Sequence, residues 1–153
     1  MIVLIQRVAE ASVSVEGRVV GAVGRGLLAL VCGEPGDTPA LVAKLARKTA
    51  RLRIFEDEAG RMNRSVVDAG GDVLCVSQFT LAADTMSGNR PSFSRAAPPE
   101  EGLAAFNAFV TALRAEGLSC PTGEFGAHMR VSLVNDGPAT FSLRLRADAA
   151  ASD

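Results

Sequence analysis

The sequence has 153 residues, of which 48% are hydrophobic and 22% are charged, and its formal net charge is −1. This balance excludes a disordered chain, and the length suits one domain that buries a core without a disulfide or a metal. The longest apolar runs are too short to cross a membrane, and the first residues lack the basic start of a signal peptide, so we expect a cytoplasmic protein with no membrane partner.

The first part of the chain is predicted to form consecutive strands. Apolar runs and strict alternation of apolar and polar residues are interrupted by glycine-containing turns. Gly21, Gly24 and Gly26 lead from strand to strand rather than into a helix, so they do not predict a phosphate-binding loop. The predicted strands are residues 1–8, 11–15, 18–23 and 27–32.

A helix is predicted to begin after Thr38, which can cap it, with Pro39 at the first helical position. Its apolar residues fall on one face. Its basic residues lie largely on the other faces, and they form either a solvated helix surface or a contact for phosphate backbone. These basic residues are Lys44, Arg47, Lys48 and Arg51.

The middle of the chain predicts a short strand at residues 52–55 and a strong strand at residues 73–81, followed by a polar loop over residues 84–98. A second helix is predicted from about Pro98, with Gly117 as its natural end. The side chains expected to face inward from this helix are Leu103, Phe106, Phe109, Val110 and Leu113.

The chain is predicted to end with two strands, residues 128–135 and 139–146, joined by the polar segment at 135–138. Strands therefore outnumber helices. We predict a single α/β domain over residues 1–147, a mixed barrel-like β-sheet with two main helices packed on it. Residues 148–153 are a tail of small residues that we expect to be disordered.

Common catalytic signatures are missing from the sequence: it has no nucleophile elbow, no Walker A loop, no zinc-protease motif and no C-x-x-C. The three cysteines lack metal-ligand spacing, and His128 is the single histidine, more typical of a surface or packed position than of a catalytic one. We therefore expect neither a metal nor a cofactor.

Two segments are polar where a plain barrel would be apolar. Residues 77–80 (Ser-Gln-Phe-Thr) end a buried strand before a long loop, where backbone amides can bind an oxyanion and Phe79 can stack on a base. The alternative is a strand that merely runs into a polar loop. Residues 135–138 (Asn-Asp-Gly-Pro) suit either a structural hairpin turn or a cis X-Pro element.

These two segments, together with Arg90-Pro91-Ser92-Phe93 between them, closely resemble motifs of the D-aminoacyl-tRNA deacylases. The opening residues 1–8, Ala11-Ser12-Val13 and the segment at residues 122–129 are similar to that family as well. The likeness covers about residues 1–146 in the family's order and spacing. It implies an enzyme that hydrolyses the ester of D-aminoacyl-tRNA, or of glycine mischarged on tRNA, as a proofreading step in translation.

The resemblance also implies roles for single residues. Ser77, Gln78, Phe79 and Thr80 would line the active site, with Phe79 near the terminal adenosine. Gly137 and Pro138 would form a cis element that enters the partner subunit's site and excludes L side chains, and Arg7 would help to fix it. The wall on the adenosine side would be formed by Phe125, Ala127 and Met129.

The partners implied are the 3′ end of aminoacyl-tRNA and a second copy of the chain, with the sites at the subunit interface, and no DNA. Ala139 and Ser142 are smaller than the residues expected beside Pro138. An aminoacyl ester is already activated, so orientation and backbone amides suffice, and a covalent Thr80 nucleophile is the less favoured mechanism. Two other functions stay open: an editing domain for a wrong L-amino acid on tRNA, and a non-catalytic tRNA-binding module.

Overall fold

The computed structural model describes residues 1–147, so the predicted disordered tail at 148–153 lies outside the described residues. Within residues 1–147 the chain forms one curled five-stranded sheet, a two-stranded sheet and two α-helices, which confirms the predicted fold class. None of the helices in this range is long and apolar enough to cross a membrane. The elements are β1 (Ile2–Val15), β2 (Arg18–Val23), β3 (Gly26–Cys32), α1 (Pro39–Arg51), β4 (Phe55–Glu56), β5 (Met62–Arg64), β6 (Asp72–Ser77), α2 (Pro99–Ala115) and β7 (Arg130–Arg144).

Strand β1 is the centre of the sheet. Its first half pairs with β3 and its second half with β2, while β7 pairs with its other edge, all three antiparallel. The predicted break between residues 8 and 11 is therefore wrong. The chain continues as one strand because β7 stays paired with β1 on one edge while β2 takes over from β3 on the other.

Strands β3 and β6 run parallel and end side by side, with Val31 paired to Ser77. The predicted strand over residues 73–81 is too long, because β6 ends at Ser77 and Phe79–Ala82 form a 3₁₀ turn. The amide of Gln78 donates the last inter-strand hydrogen bond, to the carbonyl of Val31, at 2.8 Å. Beyond that bond the chain turns away from β3, so the polar segment stands at the end of the sheet.

The polar segment at residues 135–138 does not form a hairpin. Strand β7 is continuous and pairs with β1 from Ile2 to Ser14, so the prediction of two separate final strands is wrong. Between the pairs Gln6↔Thr140 and Val8↔Asn135, Arg7 alone stands opposite residues 136–139. The extra residues loop out as a bulge, which we call the Gly-Pro bulge (residues 136–139).

The two helices pack on one face of the sheet. Thr38 caps α1 by accepting a hydrogen bond from the amide of Leu41 at 3.2 Å, as predicted. Helix α2 buries the predicted apolar residues except Leu103, which is 38% exposed near the start of the helix. The short strand predicted at residues 52–55 is reduced to β4, because the amide of Ile54 bonds back to the carbonyl of Leu52.

Candidate active site

A cavity of about 540 Å³ opens where β3 and β6 end. Val31, Cys32 and Gly33 continue into its wall from one strand, and Val76 and Ser77 from the other. The carboxyl ends of parallel strands are where α/β folds commonly bind ligands, because the loops that leave them diverge. The remaining walls come from the loop before α2, from the start of α2 and from residues 125–131.

The polar segment after β6 forms one wall of this cavity. Ser77, Gln78 and Phe79 line it, whereas Thr80 lies beside the wall rather than on it. Within the 3₁₀ turn, the first backbone hydrogen bond is donated by the amide of Leu81 to the carbonyl of Gln78, at 3.3 Å, and the others are donated by residues after Leu81. The amides of Phe79 and Thr80 come before these donors, so the turn does not use them and they can serve a ligand.

The Thr80 hydroxyl is held by a neighbouring side chain. The Gln78 side-chain amide donates to the Thr80 Oγ1 atom at 2.6 Å. An amide cannot take a proton from the hydroxyl, so this contact orients Thr80 without activating it as a nucleophile. Within residues 1–147 the hydrogen-bonding contact of the Thr80 hydroxyl is therefore a positioning contact rather than a general base.

Three phenylalanine rings line the cavity and remain partly exposed. Phe79 is 55% exposed, Phe93 40% and Phe125 37%. The rings of Phe79 and Phe93 meet edge to face, with 5.2 Å between centroids and 71° between planes. Exposed rings in a concave site suit stacking against a nucleobase. The sequence assigns no role to Phe93. Its contact with Phe79 joins two segments that are separated in the sequence, so only the structure reveals it.

The opposite wall is the segment before β7. Phe125, Ala127 and Met129 all line the cavity, where the resemblance places an adenosine-side wall. The amide of Gly123 donates to the carbonyl of Cys75 at 3.2 Å, which ties this segment to β6. His128 lines the same cavity, although the sequence favoured a surface or packed position for it. The sequence did contain a signal that His128 lines the cavity, because it lies between Ala127 and Met129, which were both predicted to line the site.

The Gly-Pro bulge lies away from this cavity. Gly137 and Pro138 are exposed and do not belong to its wall, and the peptide bond between them is cis. The structure thus separates these two predicted site residues from the Ser77–Thr80 group within one chain.

Arg7 joins the bulge to the rest of the sheet. Its side chain is only 5% exposed, and its Nε atom donates to the carbonyl of Asp136 at 3.1 Å. The Asp136 carboxylate lies 3.2 Å from the same nitrogen, and a terminal nitrogen of Arg7 donates to the carbonyl of Ile54 at 2.6 Å. Asn135 closes the bulge by donating its side-chain amide to the carbonyl of Arg7 at 2.9 Å. These contacts hold the bulge against β1.

Cys32 is the thiol of the cavity wall, and it is nearly fully buried. Burial raises the pKa of this thiol, and the negative charge of Glu34 raises it further. A thiol with a raised pKa is protonated near neutral pH and is a poor nucleophile. Among residues 1–147, no group of three or more His, Cys, Asp or Glu side chains is arranged to hold a metal ion.

Comparison with known proteins gives a consistent family. A family model described as D-Tyr-tRNA(Tyr) deacylase matches residues 4–144. A protein of Dinoroseobacter shibae named D-aminoacyl-tRNA deacylase is 64% identical over 137 residues, which cover 90% of this chain and 94% of that protein. A protein of the same name from Stenotrophomonas maltophilia is 60% identical over 147 residues, covering 94% of this chain and 99% of that protein.

Solved structures show the same fold. The c-Myc DNA unwinding element binding protein superposes with a TM-score of 0.90 at 40% sequence identity, covering 96% of this chain and all of that chain. A structure described as a probable eukaryotic D-amino acid tRNA deacylase superposes with a TM-score of 0.79 at 17% sequence identity. The superposition covers 93% of this chain and 97% of that chain. At that identity the second likeness concerns the fold alone.

Proposed function

This chain belongs to the D-Tyr-tRNA(Tyr) deacylase family, and we propose that its cavity binds the aminoacylated 3′-terminal adenosine of tRNA and hydrolyses the ester there. It is a hydrolase that removes D-amino acids from tRNA and so proofreads translation. We place it in the cytoplasm, where its substrate is used. Aminoacyl-tRNA is its partner, and the absence of a DNA partner stays a prediction.

The observation that carries this proposal is that two unused backbone amides, of Phe79 on the cavity wall and of Thr80 beside it, lie next to exposed aromatic rings. Stacking on Phe79 would hold the adenine, since base–aromatic contacts tolerate any base and contribute about 1–3 kcal/mol each. The ester carbonyl would then lie beside the amides of Phe79 and Thr80. Amides aimed at the oxygen that becomes negative are a strong source of rate acceleration.

The reaction needs only water as a second reactant. Water adds to the ester carbonyl carbon, and the carbonyl oxygen takes the negative charge while the amides donate to it. The bond between the carbonyl carbon and the ribose oxygen then breaks. The ribose oxygen takes up the proton that the added water gives up, and free tRNA and the D-amino acid leave. In this proposal the adjacent ribose hydroxyl would orient the water, so the reaction would not require a base beside Thr80.

We further propose that stereochemical selection comes from a second copy of the chain. The Gly-Pro bulge is exposed, braced by Arg7 and outside its own cavity, as expected of an element that serves a partner's site. In a homodimer the bulge would close the partner's cavity at the α-carbon of the substrate. An L side chain would clash with its backbone. The hydrogen of a D residue would fit there, and so would glycine.

The test of catalysis is release of a D-amino acid from tRNA by the purified protein. We expect multiple turnovers by the unmodified chain and a rise in KM for Phe79→Ala, with Val19→Ala as a control at an exposed apolar residue on β2. Tight binding of tRNA without turnover would instead indicate a binding module. Preferential release of an L-amino acid would indicate an editing domain of the opposite specificity.

The dimer is tested by Gly137→Leu. Within one chain a Cβ atom at Gly137 meets the Oδ1 atom of Asn135 at 3.1 Å, so the Asn135 side chain has to shift by a few tenths of an ångström. In the proposed dimer the leucine would enter the partner's cavity and block turnover while the fold stays intact. The control is Gly24→Leu, where nothing lies within 4 Å of an added Cβ. Full activity of Gly137→Leu, or a sedimenting monomer, would contradict this arrangement.

A further inference from the structure

A second concave surface lies between helix α1 and the end of strand β7. We call it the basic groove; it has a volume of about 630 Å³ and is lined by residues of α1 and by residues 142–145. Nine of the described residues line it; five of these are cations and none is an acid. The cations are Lys44, Arg47, Lys48, Arg51 and Arg144.

The helix places its four cations on one side. Lys44, Arg47, Lys48 and Arg51 follow the spacing i, i+3, i+4 and i+7, which brings side chains together on one face of an α-helix. Leu45 and its apolar neighbours on α1 turn into the core instead. The strand end of β7 forms the facing wall, so the charges line a groove rather than a flat helix surface.

The nearby acids only partly balance this charge. Glu116 contacts both Arg47 and Arg51, at 3.5 and 3.1 Å, and Glu34 contacts Arg144. The side chains of Arg47 and Arg51 remain 72% and 69% exposed while they make these contacts. Such exposed pairs are weak, and a polyanion can compete for the same guanidinium groups.

The groove begins close to the cavity. Cys32 on the cavity wall pairs with Ile2, and Ile2 pairs with Arg144 on its other side. Two strand spacings therefore separate Cys32 from Arg144, about 10 Å. At roughly 3.4 Å per nucleotide, a nucleic-acid strand leaving the cavity covers that distance in about three nucleotides.

We propose that the basic groove binds the phosphate backbone of tRNA next to the 3′ end held in the cavity. This inference rests on the proposed function, and it favours the basic groove over the cations Arg90 and Arg95 in the loop before α2. These loop cations are the weaker candidate, because neither Arg90 nor Arg95 lines the cavity or the basic groove.

The test measures binding of deacylated tRNA as a function of salt, for Arg47→Gln, Lys48→Gln and the double variant. The control is Arg18→Gln, an exposed charge at the start of β2. We expect the double variant to weaken binding about tenfold. The slope of log K against log salt should become shallower by about 0.7–0.9 for each phosphate that the variant no longer neutralises. Arg18→Gln should change neither quantity.

The second arm compares turnover of D-aminoacyl-tRNA with that of a 3′-D-aminoacyl adenosine, which has no backbone to reach the groove. The groove variants should raise KM for the tRNA and leave both kinetic constants for the adenosine ester unchanged. Unchanged tRNA affinity and salt slope would overturn the proposal, as would an equal loss of turnover on the adenosine ester. A failure of the proposed function would appear differently, as no turnover of either substrate by the unmodified chain.

Discussion

At the scale of single residues, the hydroxyl of Thr80 is the obvious candidate nucleophile, yet its contact is the amide of Gln78. We predict that Thr80→Val, which keeps the shape and removes the hydroxyl, retains most of the deacylation rate. Losing an oxyanion-hole donor typically costs about 100- to 1,000-fold, and the donors proposed here are backbone amides that the substitution keeps. Single-turnover rates measure the effect. A larger loss in a folded variant, or a trapped acyl-enzyme on Thr80, would establish a covalent mechanism instead.

Phe93 is a second residue with a specific expectation. Its edge-to-face contact fixes the ring of Phe79, and such pairs contribute about 0.5–1.5 kcal/mol. Phe93→Leu should therefore raise KM for D-aminoacyl-tRNA by about two- to tenfold and leave kcat nearly unchanged, because it would affect the proposed adenosine contact rather than the ester carbonyl. Phe93→Tyr keeps the ring and is the matched control. A fall in kcat with constant KM would give Phe93 a role in the chemical step.

At the scale of elements, the parallel pairing of β3 with β6 carries the active-site turn, and Gly26 permits it. A Cβ at Gly26 would lie 1.9 Å from the backbone carbonyl oxygen of Asp72, which cannot move aside without breaking the pairing. Gly26→Ala should lower the free energy of unfolding by about 1–3 kcal/mol or more. Gly24→Ala, with open space around the added Cβ, should change it by less than about 0.5 kcal/mol. Urea denaturation of the pair checks this, and equal stabilities would contradict it.

The sequence predicted those elements whose signals are local. Thr38 and Pro39 marked the start of α1, and the apolar pattern found β2, β3 and most of α2. Leu103 fits the same apolar pattern but remains 38% exposed, because the exposure of a helix residue depends on tertiary packing as well as on its place in the pattern.

The final strand shows what local signals miss. Asn-Asp-Gly-Pro favours a turn, and two apolar runs around it suggest a hairpin. The structure keeps both runs in one strand, because 14-residue β1 offers a single partner along their whole length and Arg7 and Asn135 fasten the extra residues. For the candidate site, the motifs named Ser77, Gln78 and Phe79, which line one cavity, and their roles stay a prediction. The cavity contacts of Phe93 and His128 depend on distant segments meeting.

At the scale of the whole molecule, Glu34 ties together the end of β7, the N-terminal strand and the chain before α1. Burial alone would raise the pKa of Glu34, but hydrogen bonds from Arg144 and from the Met1 amino group outweigh it and hold the pKa below its usual value. A carboxylate whose pKa is lowered by folding stabilises the fold at pH values above its pKa in the unfolded chain, which is about 4.3 for Glu. This stabilisation is lost as the pH falls through the pKa of the folded state.

We therefore predict that the free energy of unfolding falls less steeply between pH 6 and pH 3 for Glu34→Gln than for the unmodified chain. Part of the fall should remain, because hydrogen bonds from the Arg61 and Ser65 amides also lower the pKa values of Asp57 and Asp68. Urea denaturation across this pH range measures the slopes. Parallel slopes would show that the Glu34 contacts contribute nothing to stability.

We propose that the cavity of one chain is completed by the Gly-Pro bulge of a second copy, and the stereochemistry of hydrolysis tests this proposal most directly. The unmodified protein is given the same tRNA charged with the D-form, the L-form or glycine, and the three hydrolysis rates are compared with the spontaneous rate in buffer. We predict rapid hydrolysis of the D-aminoacyl and glycyl esters, while the L-aminoacyl ester decays at the spontaneous rate. Equal hydrolysis of the D- and L-esters would remove the proposed role of the Gly-Pro bulge, and no acceleration of any ester would contradict the assignment of the cavity as an active site.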